Sequence, residues 1–87
     1  MDEKNLNILH HLGTVLYKLK QFDETIELLE PITTRVSNKD LKLRMNILKT
    51  IGYAYASIEE HDQARKYADA ADAVQRQLKK TKNIKNP

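Results

Sequence analysis

The chain of 87 residues has no cysteine and no tryptophan, and only two glycines and two prolines. Without cysteine there is no disulfide framework and no thiolate for nucleophilic or metal chemistry, which suits a reducing compartment. No run of about 18 apolar residues is present, so nothing reads as a membrane-spanning helix. The opening Met1-Asp2-Glu3-Lys4-Asn5 lacks the basic-then-apolar order of a secretory signal. Together these absences predict a cytoplasmic chain. Few glycines and prolines, with 31% charged residues, predict an all-α fold.

The formal net charge is +3, from 15 Lys and Arg against 12 Asp and Glu. Its location matters more than its sum. Lys79, Lys80, Lys82 and Lys85 fall in a C-terminal stretch with no acid, while residues 1–78 carry 11 basic and 12 acidic groups. One nearly neutral domain over 1–80 is expected, with a disordered basic tail over 81–87, where no apolar periodicity remains. Lys79 and Lys80 then stand where they favour the C-terminus of a helix. Nucleic-acid binding by the folded part is not expected. Tyr17, Tyr53, Tyr55 and Tyr67 lie on helical patterns, not on a strand platform for base stacking. The basic cluster Lys39, Lys42 and Arg44 is diluted by Asp40.

An internal repeat organises the rest. A shift of 39 positions superposes Gly13 on Gly52, Asn7-Ile8-Leu9 on Asn46-Ile47-Leu48, Leu12 on Ile51, Leu19 on Ile58 and Asp23 on Asp62. A period of this size signals stacked supersecondary units. Each unit reads as two helices. In the first, Leu9, Leu12, Leu16 and Leu19 follow the helical period, and Leu6, Ile8, Val15 and Tyr17 widen the stripe. That breadth predicts a helix covered on more than one side. After the short turn Lys20-Gln21, a second helix starts at Phe22, with Ile26, Leu28, Leu29, Ile32 and Val36 as its apolar faces. Pro31 predicts a kink, because proline removes a hydrogen bond and clashes with the preceding turn; apolar spacing reaching Val36 favours the kink over an early end.

The turn Ser37-Asn38-Lys39-Asp40 has a weak capping-box pattern. A third helix is expected over roughly 40–58, with Leu41, Met45, Leu48, Ile51 and Tyr55 on one face. A fourth is expected over about 62–79, with Ala64, Ala68, Ala71, Val74 and Leu78 inward and Tyr67 beside them.

These residues resemble the tetratricopeptide repeat (TPR), whose pattern is Trp-x2-Leu-Gly-x2-Tyr, then Ala-x3-Phe and a later Pro. The first copy, about 6–39, offers Leu9-x2-Leu12-Gly13-x2-Leu16 and then Thr25-x3-Leu29. The second, about 45–78, offers Leu48-x2-Ile51-Gly52-x2-Tyr55 and then Ala64-x3-Ala68. Phe22 and His61 stand at the family's aromatic turn position. Lys20 and Glu59 replace its turn glycine, and Ser37 and Arg76 its proline. The lengthened period is similar to that of the TPR-like C-terminal domain of Gram-positive peptide-sensing transcription regulators. The resemblance implies two helix-turn-helix hairpins, four antiparallel helices, in a right-handed α-solenoid stack.

It also implies a protein or peptide partner, bound along the first helix of each unit. Residue by residue, that face is Asn7, His10, Thr14 and Tyr17 in the first copy and Asn46, Lys49, Tyr53 and Ala56 in the second. The two asparagines are the foremost candidates, since an amide both donates and accepts. The carboxylate clamp of chaperone-binding members is missing: His10, Thr14 and Thr50 occupy its positions, with no fifth helix. Two repeats where a solenoid wants about three imply a fragment, a marginal monomer or a self-associating chain, and the favoured expectation is a homo-oligomer, a dimer, through exposed repeat ends. The alternative function is a structural homodimerisation scaffold with no ligand groove in use; a nucleic-acid-associated accessory protein ranks lower.

Catalysis, cofactor and metal are not expected. His10 and His11 are adjacent and diverge by about 100° on a helix, so they cannot share an ion as an i, i+4 pair does. His61 lies at a turn. Glu59-Glu60 and Asp69/Asp72 lack a desolvated pocket, and Glu27 and Glu30 read as a solvated face. Two glycines 39 residues apart form no phosphate loop.

Overall fold

The structure, a computed structural model, describes the backbone of residues 3–37 and 39–85 and the side chains of residues 5–37 and 39–80. Over those residues the chain forms four α-helices and no strand: α1 (Glu3–Lys18), α2 (Phe22–Leu29), α3 (Leu41–Ser57) and α4 (His61–Lys85). α1 pairs with α2 and α3 with α4, and α3 packs against each of the other three.

Both hairpins close by the same backbone geometry. Lys20 N–H donates to the Tyr17 carbonyl at 2.9 Å, and Gln21 N–H to that of Leu16 at 2.9 Å. In the second, Glu59 N–H donates to the Ala56 carbonyl at 3.1 Å and Glu60 N–H to that of Tyr55 at 2.9 Å. This pair of bonds is a Schellman helix stop, which places one residue in the left-handed region. Lys20 has φ 64° and Glu59 φ 63°. Left-handed backbone costs a residue bearing a Cβ about 1–2 kcal/mol, and glycine almost nothing. The 39-residue register thus extends from side chains to backbone.

The connection between hairpins differs from expectation. α2 has eight residues and ends before Pro31 instead of kinking through it. Pro31 brings no N–H to the ladder, and the chain turns to tighter bonds: Ile32 N–H to Leu29 O, 3.2 Å; Thr33 N–H to Glu30 O, 3.3 Å; Arg35 N–H to Ile32 O, 3.0 Å. These turns still deliver Ile32 and Val36 to the core. Ser37 Oγ accepts from Lys39 N–H at 3.1 Å and shapes the turn, while Asp40 caps α3 by accepting from Leu43 N–H at 3.1 Å. Asn38 lies outside the described residues.

The main core joins the hairpins through Leu6, Leu29, Ile32, Val36, Leu43, Ile47 and Ile51. A second cluster of Leu48, Ala71 and Val74 ties α3 to α4. Burying a Leu or Ile side chain contributes roughly 1.5–3 kcal/mol, so α3, buried on both flanks, holds the molecule together. Leu43, Ile47 and Ala54 are among its buried residues; the single face drawn through Leu41 and Met45 omits them.

α1 departs most from its expected role. Leu6 is buried and Leu9 and Leu16 half-buried, but Ile8, Leu12, Val15 and Leu19 are 48–64% exposed. The apolar breadth of α1 therefore does not mean cover on more than one side. Close approach explains one glycine more than the other. A Cβ on Gly13 would lie 2.7 Å from Leu29 Cγ, whereas one on Gly52 would find its nearest neighbour, Tyr67 Cβ, at 3.4 Å.

α4 continues to Lys85, through residues 81–85 expected to be disordered. Nothing in Thr81-Lys82-Asn83-Ile84-Lys85 breaks a helix, and extending an existing helix needs no new nucleus. Lys82 and Lys85, not Lys79 and Lys80, therefore hold the last-turn positions. Asn86 and Pro87 lie outside the described residues.

Candidate partner-binding site

The two proposed sets of face residues occupy different surroundings. From α1, His10 and Tyr17 lie at the seam with α3. Thr50 Oγ1 is 3.5 Å from His10 Nε2, and the Tyr17 ring lies 6.3 Å from that of Tyr53 and edge-on to Phe22 at 5.5 Å. Thr14 is half-buried and donates its hydroxyl to the His10 carbonyl at 3.0 Å. Asn7 is exposed. Burial, and then the neighbouring His11, hold the His10 imidazole below its usual pKa, against a backbone hydrogen bond at Asn46 that raises it. The Asn46 carbonyl also accepts from the Thr50 hydroxyl at 2.9 Å. The first set therefore serves largely to seat α3.

Three of the second set face an open groove, while Asn46 is half-buried and outside it. Lys49, Tyr53 and Ala56 line a groove of about 320 Å³ between α3 and α4, completed by Gly52, Ala64, Arg65, Ala68, Ala71 and Asp72. Its floor is glycine and alanine because small residues on facing helices leave a trough where larger ones would interlock. Its rim carries the Lys49 and Arg65 cations, the Asp72 carboxylate and the half-exposed Tyr53 ring. An apolar floor with a mixed polar rim suits a peptide or helix that buries aliphatic side chains. Ala68, expected inward, is exposed in this trough.

Sequence reasoning missed Glu30. Its Oε2 accepts from the Tyr55 and Tyr67 hydroxyls, each at 2.7 Å, and the two rings stack at 5.7 Å between centroids. The carboxylate at the end of α2 is thereby tied to both α3 and α4. Burial, then the hydrogen bond to this carboxylate, pushes the Tyr55 phenol up to about 12 and raises that of Tyr67 as well. No local pattern announces the cluster, since its members are 25 and 37 residues apart.

Among the described residues no three His, Asp or Glu side chains stand together to hold a metal ion, and no helix is long and apolar enough to cross a membrane. Comparison of the chain with protein-family models, curated proteins and solved structures gives no match.

Proposed function

We propose that the chain is a protein- or peptide-interaction module of the tetratricopeptide-repeat type, its two hairpins stacked as a right-handed solenoid. Its setting would be a cytoplasmic bacterial transcription regulator. The observation that carries this reading is the open α3/α4 groove, formed in the second unit by the same positions that seat a helix in the first. Left-handed Lys20 and Glu59, at the family's turn-glycine position, support the repeat assignment. Lys49, Tyr53 and Ala56 would contact the partner directly, with Asn7 and Asn46 extending the polar face.

Affinity capture from cells tests this, using the intact chain, an Asn7→Ala/Asn46→Ala variant and a Lys49→Glu/Tyr53→Ala variant. Loss of the same bound protein in the groove variant, with melting unchanged, is the expected result. Undiminished capture by both variants refutes the site. The reading as a homodimerisation scaffold is favoured by a different observation, the aliphatic stripe exposed along α1.

A further inference from the structure

The exposed stripe of α1 and the open groove of α3/α4 are counterparts of two surfaces already joined within the chain. Shifted by 39, Ile8, Leu12, Val15 and Leu19 fall on Ile47, Ile51, Ala54 and Ile58. Ile47, Ile51 and Ala54 are fully buried, the two isoleucines in one cluster with Leu29 and Ile32 of the first hairpin. The same shift carries Leu29 and Ile32 onto Ala68 and Ala71, in the groove. The face by which α3 docks is thus exposed on α1, and the surface it docks against is an open groove on α3/α4, with Ala68 exposed in it and Ala71 buried at its base. The α1 stripe leaves on the order of 400 Å² of apolar surface uncovered, a patch of the size that is often functional.

Size matches along the helix, and charge matches at its turn end. Ala68 and Ala71 hollow the groove where Leu29 and Ile32 fill its counterpart, and Val15 offers more bulk than Ala54. Within the chain, Ile58 at the end of α3 sits beside Lys20, Gln21 and Phe22 at the first turn. The equivalent placement between two copies sets Lys18 and Lys20 of one against Glu59, Glu60 and Asp62 of the next, opposite signs along the contact.

We propose that the chain self-associates head to tail, α1 of one copy seated in the α3/α4 groove of the next. The contact continues by one step the interface through which α3 seats on the first hairpin. It rests on reading that groove as a protein-binding surface and names a second copy as its occupant. The seam is weaker than its counterpart within the chain, because the Tyr55 and Tyr67 positions correspond to Leu16 and Leu28, which cannot bond a carboxylate. An interface of unlike faces builds open chains or rings and not a closed symmetric pair.

The test is sedimentation equilibrium of the intact chain, of Leu12→Lys and of Ala68→Lys, alone and mixed. Both substituted residues are exposed, and Ile8→Lys duplicates the first should it disturb folding, which circular dichroism checks. The intact chain is expected to gain mass with concentration, less so at high salt. Each variant should associate at least about tenfold more weakly. Their equimolar mixture should recover a 1:1 dimer, since each retains the face the other lost. A monomeric intact chain overturns the proposal, and so does Ala68→Lys associating as the intact chain does, which would mean stripe-to-stripe contact. A mixture that stays monomeric overturns it too. If the intact chain is monomeric while Lys49→Glu/Tyr53→Ala still loses its captured protein, only self-association fails and the groove reading survives.

Discussion

At Leu29 the first hairpin drives a buried leucine against Gly13; 39 residues on, the second hairpin has the exposed Ala68. At Glu30 the first hairpin ties down two tyrosines, while its counterpart Asp69 is exposed. The hairpins share turns and register, yet among the described residues a helix packs on the first and none packs on the second. Residues at equivalent positions therefore differ in burden according to what is stacked upon them. Repeat position sets direction, and the neighbour sets burial.

Equivalent substitutions in the two units turn this contrast into measurements. The largest effect is expected at Leu29, where Leu29→Ala opens a cavity in the main core and should cost about 2–5 kcal/mol by urea denaturation. Ala68→Leu, its mirror in the other hairpin, should stay within about 0.5 kcal/mol. Comparable losses at both sites would break the comparison.

The glycines should diverge next. Gly13→Ala forces Leu29 to move and is expected to destabilise by about 1–3 kcal/mol. Gly52→Ala meets ordinary contact distances, so its higher helix propensity should leave stability unchanged or raised by up to about 1 kcal/mol. Thermal melts of the pair give the sign directly.

Third comes the carboxylate. Glu30→Gln should cost about 1–2 kcal/mol, since bonds to a charged acceptor are lost or weakened, and Asp69→Asn almost nothing. The phenols give this site a pH signature. Their folded pKa values lie above the ordinary 10.0, to about 12 for Tyr55, so the unfolded chain releases these protons first. Their contribution is whole below pH 10 and fades as pH climbs through 12. Tyr55→Phe should flatten that alkaline decline.

The smallest effect is expected on the acid side. His10 is held below its ordinary 6.5, so the unfolded chain takes up the proton first. Its contribution is intact above pH 6.5 and falls away as pH drops through the lower folded value. His10→Asn should remove this slope from the acid limb of a stability–pH profile.

The helices were legible because apolar residues recur at the helical period, and the turns because two short polar breaks share one register. What α1 faces was not legible. Its apolar residues encircle the helix, and a hydrophobic pattern shows which side chains want cover without showing whether cover exists. Pro31 marks a disruption in the sequence, but the choice between kink and termination lies with the tight turns that carry Ile32 and Val36 inward. Of the proposed binding face, Lys49, Tyr53 and Ala56 line an open groove, whereas His10 and Tyr17 help to seat α3. That division follows from which hairpin has a helix packed on it among the described residues, which the motif itself does not encode. Glu30 passed for a solvated acid because its partners are remote in sequence.

The left-handed turns have an electrical consequence. Backbone bonds alone close them, so the side chains at 20 and 59 are free to carry charge, and they carry opposite signs on neighbouring tips. Glycine would relieve the strain at both and remove this pair's share of that polarity. The chain thus keeps a transverse dipole along one edge at the expense of some stability. Exchanging the two residues, Lys20→Glu with Glu59→Lys, would reverse the contribution of these turns to that dipole at constant composition and net charge.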